Sequence, residues 1–247
     1  MDAPNSVIGD VAATLSAQGV DLAALGLSWA RAMPLVTLVP ALGLRALPAP
    51  ARMVMGLAFA ACILPAIQAT GIITGVPWAF ALAGELVRGL PVAVGTAVPL
   101  YAATMAGGVV DVLRGSQTTV SSPATMDSQT TPMGVPMSLL ACAVFLSTGG
   151  PARAVKALAL HPMDGHPLVH AVQDISGGIT LSVVLAAPIV AASVIIEVAT
   201  SLIARAASPA QVHALLAPIR AMGILGALAI AFERIAAVLT HAIERTP

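Results

Sequence analysis

The chain has 247 residues, of which 58% are hydrophobic and 9% charged, with a mean hydropathy of +0.95. Soluble domains carry about 25% charged residues, so this composition excludes a soluble domain with a single anchor and describes an integral membrane protein. Eleven basic residues balance eleven acidic ones, which leaves no net basic field to attract nucleic acid.

Residues Met1 to Val20 are mildly polar, with Asp2 and Asp10, and read as a lead-in. No Lys or Arg precedes Arg31, so the start lacks the basic region of a cleavable signal peptide. A first apolar segment is expected from Leu22 to Leu44, interrupted by Arg31 and kinked at Pro34 and Pro40. Arg45 to Arg52 reads as a short basic hinge. A second segment is expected over Val54 to Ile73, and an uncharged turn over Gly75 to Pro77. The stretch from Trp78 to Leu113 is too long for one simple span of about 20 residues. It is either one long bent helix or two pieces divided at Pro91 and Pro99.

Within that stretch, Glu85 and Arg88 stand at i and i+3 and share a helix face. Asp111 and Arg114 repeat the spacing where the apolar run ends. Ionisable groups at membrane depth are costly and are mostly functional or paired. The plainer alternative is that both pairs are neutralised charges at helix ends or interfaces. A polar loop rich in serine and threonine follows from Gly115 to Gly134. It includes Ser116, Thr118, Thr119, Ser121 and Ser122, with Asp127 as its one charge, and it ends at Pro132-Met133-Gly134.

A fourth segment, Val135 to Thr148, is short for a span and ends at Gly149-Gly150. The fifth is expected over Gly178 to Ala204, with Glu197 inside it. The sixth is expected over Val212 to Ile243, with Glu233 and Arg234 inside it. No strand alternation is sustained, so the fold is expected to be all-α, with about six apolar segments. Positive residues on cytoplasmic loops orient spans, but threading six spans puts Arg153 and Lys156 on the wrong side. That conflict, and a proline in nearly every segment, point to helices packed on other protein surfaces more than on lipid.

No phosphate-binding loop, HExxH, CxxC or GxSxG motif is present. His166 and His170 lie at i and i+4 with Asp164 near, a spacing a metal site can use. The prolines at 162 and 167 break a regular helix across the group, which reads better as a polar surface loop. Cys62 and Cys142 sit singly in apolar segments and read as small core residues. No cofactor or metal is implied.

The ordered set Glu85, Gly89, Ala106-Gly107, Asp111-x-x-Arg114-Gly115, Asp127, Pro132-x-Gly134 and Gly149-Gly150 resembles the T subunit of the type III secretion export apparatus. This is the SctT family, whose flagellar counterpart is FliR. The Asp-x-x-Arg-Gly element is more similar to the injectisome branch. The resemblance implies a single non-enzymatic export-gate domain over residues 1–247, in the bacterial inner membrane. Its helical hairpins would sit largely above that membrane, with copies of two related small subunits in a closed ring around the export channel, and its partners would be R-, S- and U-type subunits in a hetero-oligomer and the exported polypeptides. It also implies that the Gly115–Gly134 loop is a lumen plug, anchored by Asp111, Arg114, Gly115, Pro132 and Gly134. The residues alone leave a soluble linker open. They also leave open a small secondary transporter with Glu85 and Arg88 as a buried ion or proton site.

Overall fold

The computed structural model describes residues 13–14, 17, 19, 21–42, 48–70, 77–116, 131–160, 166–207 and 213–246. Among the described residues, the regular elements are all helical. They are α1 (Leu22–Leu38), a 3-10 turn (Pro40–Leu42), α2 (Ala49–Thr70), α3 (Trp78–Leu113), α4 (Gly134–Ser147), α5 (Gly150–Leu160), α6 (Pro167–Ala206) and α7 (His213–Arg245). The fold is an all-α, membrane-protein-like bundle of helical hairpins. Prolines lie inside α1, α2, α3, α6 and α7.

Several element boundaries differ from those expected, each for a local reason. The Asp21 carboxylate accepts from the backbone N–H groups of Ala23 and Ala24 and so caps α1. The helix tolerates Pro34 but stops at Leu38, short of Leu44. Val39 is held extended (φ −82°, ψ 111°) ahead of Pro40, because a following proline disfavours the helical region. The basic hinge is shorter than expected, because α2 already starts at Ala49 with Pro50 in its first turn. A proline there gives up only an N–H that has no acceptor within the helix. Pro167 has the same effect at the start of α6, which begins eleven residues ahead of Gly178. The stretch from Trp78 to Leu113 is one continuous helix.

The largest departure follows Thr148. The expected connection carrying Arg153 and Lys156 is the helix α5, set at 66° to α4 across the Thr148–Gly149 break. Four helices, α2, α3, α6 and α7, are long and apolar enough to cross a membrane, and the bent α4–α5 pair makes up to five, against the six segments expected. The pair is therefore not a straight span, and this removes the simple threading that misplaced Arg153.

The helix α3 is the axle of the bundle. In its most apolar stretch 61% of residues are buried, against 22% for α2, α6 and α7. Helices α1, α4 and α6 pack along it, and the α1–α2 and α6–α7 hairpins close the two flanks. Its buried face is built from small residues, among them Ala93, Ala97, Ala103 and Ala106. Small side chains let helix backbones approach closely, which matters where apolar surroundings give no hydrophobic drive to associate. Larger residues, Leu100, Phe145, Leu158 and Ile189, fill the spaces between helices.

Candidate functional site

Two charge clusters stand on α3, one near each end. At the first, Glu85 is 7% exposed. Its Oε1 faces Nη1 of Arg88, one turn on along the same helix. Its Oε2 accepts from Nε of Arg31 at 2.7 Å and lies 2.6 Å from the Nη2 of Arg31. Arg31 comes from the middle of α1, so the cluster ties two helices far apart in sequence. A second Arg31 nitrogen, Nη1, donates to the carbonyl oxygen of Leu158 near the end of α5, at 3.3 Å. The cluster is thus a triad of one carboxylate and two guanidinium groups, joining α1, α3 and α5.

Gly89 makes this approach possible. A Cβ there would lie 2.1 Å from the backbone oxygen of Arg31, closer than any side chain can come. The missing side chain lets α1 lie against α3 at the level of the triad. The Arg31–Glu85 link is the feature that spacing along one helix misses. The available signal was Arg31 itself, the one charge in an otherwise apolar segment, with no local acid to pair with.

At the other end of α3, Asp111 is fully buried. Its Oδ1 lies 2.6 Å from Nη2 of Arg114. Its Oδ2 accepts from the backbone N–H of Met133 at 2.6 Å. The backbone oxygen of Asp111 accepts from the N–H of Ser116 at 2.9 Å. One residue therefore holds the chain both where it leaves α3 and where it returns to α4.

The helix ends at Gly115 in the left-handed region (φ +75°), where a residue with a Cβ is strained. The returning Pro132–Gly134 turn lies directly on α3 at Gly107. A Cβ on Gly107 would meet the Met133 carbonyl oxygen at 2.5 Å and Gly134 Cα at 2.8 Å. The hydroxyl of Thr131 then accepts from the Gly134 N–H at 3.2 Å, at the start of α4.

Ser116 is the last described residue before the loop. Thr118, Thr119, Ser121, Ser122 and Asp127 lie outside the described residues. His166 stands just before α6 and His170 lies in its first turns, while Asp164 is outside the described residues. Among the described residues, no group of three or more His, Cys, Asp or Glu is placed to hold a metal ion. Arg153 of α5 donates to the Thr148 carbonyl oxygen at 3.2 Å and to that of Ile243, near the end of α7, at 3.0 Å. The short helix α5 is therefore bonded at one end to α7 and at the other to the triad.

An all-α bundle with four or five membrane-length helices and charges clustered on its central helix defines an integral membrane scaffold. The chain belongs to the family described as bacterial export proteins, family 1, whose profile matches residues 22–246, from the start of α1 to the end of α7. A comparison with curated proteins gave no match. Membership puts the chain among the membrane components of bacterial protein export.

Proposed function

We propose that this chain is the T subunit of a type III secretion export gate, a non-enzymatic subunit in the bacterial inner membrane. On this reading, residues 1–247 form one export-gate domain within a hetero-oligomer of R-, S- and U-type subunits, around a path for unfolded polypeptides. The Gly115–Gly134 loop is the plug of the closed channel. Ser116, Thr118, Thr119, Ser121, Ser122 and Asp127 contribute its polar surface, and Asp111, Arg114, Gly115, Pro132 and Gly134 hold its base.

One observation carries the plug reading. Asp111, fully buried on the central helix, binds the chain on both sides of the loop: its carboxylate accepts from the Met133 N–H, and its backbone oxygen accepts from the Ser116 N–H. A free surface linker requires no such clasp, because linker ends set on packed helices are already fixed by the helices. A buried carboxylate that accepts backbone hydrogen bonds and pairs with an arginine fixes a loop base firmly.

The transporter alternative is weaker, because both carboxylate oxygens of Glu85 already face an arginine. That arrangement offers a passing cation a net positive site.

The test is to shorten the loop by removing residues between Ser121 and Ser128. The expected result is an assembled complex whose resting membrane leaks ions. An assembled complex that stays ion-tight and secretes normally would return the loop to the linker class.

A further inference from the structure

A pair of glycines on α6 both closes and opens its contact with α3. Gly178 sits hard against Val98, since a Cβ there would lie 2.3 Å from Val98 Cγ1. One residue earlier, a Cβ on Gly177 would meet nothing within 4 Å. The space at Gly177 belongs to a groove of about 500 Å³ between the middle of α3, the first half of α6 and the last turns of α7. Sites for small molecules run from about 300 to 1,000 Å³.

The groove combines an apolar wall with polar groups of opposite sign. Val98, Leu181 and Val238 line the apolar part. Asp174 brings a carboxylate, and Arg245 brings a guanidinium, with His241 one turn before it on α7. Pro99 has no N–H, so the Gly95 carbonyl in the same groove lacks its helical donor one turn on. A carboxylate has about four lone-pair sites, so Asp174 can accept from a ligand alongside its bonding within the protein.

The depth of these groups follows from α6. From Ile175 to Ile196 the helix carries no charge. At roughly 1.5 Å per residue that run is about 33 Å long, against a hydrocarbon core of about 30 Å. Asp174 closes it at one end. Glu197, paired with Arg220 of α7 at 3.1 Å, closes it at the other. Asp174 and Arg245 therefore stand at the level of lipid headgroups. Leu181 and Val238 lie about two turns deeper on their helices, at 3.6 residues per turn, where acyl chains begin.

A purely anionic headgroup would meet Asp174, and a bare cation would meet Arg245. A headgroup with both a phosphate and a primary ammonium matches both. We propose that the groove between α3, α6 and α7 holds a phosphatidylethanolamine molecule. Its ammonium donates to Asp174 and to the Gly95 carbonyl, and its phosphate accepts from Arg245. One acyl chain lies along Leu181 and Val238. An ammonium has three N–H donors, and arginine pairs with phosphate through charge-assisted hydrogen bonds. Basic pockets between membrane helices hold lipid headgroups in the same way. The proposal concerns this chain alone and stands apart from the export-gate reading.

The test is native mass spectrometry of the full chain in mild detergent, given equal amounts of phosphatidylethanolamine and phosphatidylcholine with the same acyl chains. The trimethylated ammonium of the second lipid has no N–H to donate. The expected result is several-fold greater retention of phosphatidylethanolamine. Asp174→Asn should bring that ratio close to one, and Arg245→Gln should weaken retention of both lipids alike. Gly177→Leu extends into the groove without a clash at its Cβ, and leucine suits a helix better than glycine. It should lose the bound lipid while melting no lower than the unchanged chain. Equal retention of the two lipids by the unchanged chain would mean annular lipid only. Retention undiminished by Gly177→Leu would place the lipid elsewhere. Displacement by soluble phosphoethanolamine at the same concentration would mean a water-soluble ligand. Each of these overturns the proposal.

Discussion

Among the described residues, Glu85 is the carboxylate that pairs with two arginines. One carboxylate against two guanidinium groups leaves the triad one net positive charge, and Arg31 passes the connection on to the end of α5. The two arginines are not equivalent, because the Arg31 side chain is 11% exposed and that of Arg88 is 30% exposed. Breaking one partner of a buried pair costs about 3–5 kcal/mol, because the other charge is left uncompensated. Glu85→Ala should therefore cost the most, since it strands Arg31 between α1 and α3. Arg88→Ala leaves a neutral Arg31–Glu85 pair and should cost at most about 1 kcal/mol, as for a partly solvated ion pair. Glu85→Ala combined with Arg88→Ala should be nearly as damaging as Glu85→Ala alone, because Arg31 remains unpaired. Thermal unfolding of the detergent-purified variants gives the order, and equal losses for Glu85→Ala and Arg88→Ala would contradict the triad. Gly89→Val tests the same contact sterically. It should lower yield of folded protein sharply while leaving every charge in place, because a Cβ there meets the Arg31 backbone rather than a side chain that can move aside.

At the scale of elements, α3 and α5 do different work. The helix α3 sets the two charge clusters near opposite ends of a rod of about 54 Å, at roughly 1.5 Å per residue. The short helix α5 then cross-links the bundle, with Leu158 bonded to Arg31 and Arg153 bonded to the end of α7. Arg153→Ala should loosen the α7 terminus, and faster amide exchange confined to the last turns of α7 would register it. Unchanged exchange there would mean that the Arg153 bond to Ile243 carries no load.

Much of this was legible in the residues. Apolar runs locate most helices, and the spacing of Asp111 and Arg114 places both on one face. The rest was not legible, for two physical reasons. A proline in a first helical turn is indistinguishable in a sequence from a proline that ends a helix, which hid the starts of α2 and α6. Contacts between helices leave no local pattern, which hid the pairing of Arg31 with Glu85 and the grip of Asp111 on Met133.

For the whole molecule, the distribution of charge and apolar surface describes a subunit. Long apolar faces on α2, α6 and α7 are exposed, including Val54, Ile179, Ile195 and Ile230, yet charges such as Glu233 and Arg234 interrupt them. A chain resting in lipid alone has reason to lose those charges, whereas a chain packed into an assembly can pair them. The Asp111 clasp gives a second expectation at this scale. Asp111→Asn keeps the size of the side chain but loses the charge that draws in Arg114. It should leave the complex assembled and raise its resting ion conductance. A tight complex with that substitution would separate the clasp from channel closure.

The account rests on this chain being one subunit of a larger membrane export complex, and intact mass measurement tests that most directly. The chain should be co-expressed with the other membrane subunits of its own export system, extracted in mild detergent and weighed as the intact assembly. The account predicts a stable hetero-oligomer containing a single copy of this chain, from which Glu85→Ala is lost. A well-folded, monodisperse monomer that binds none of those subunits would contradict it.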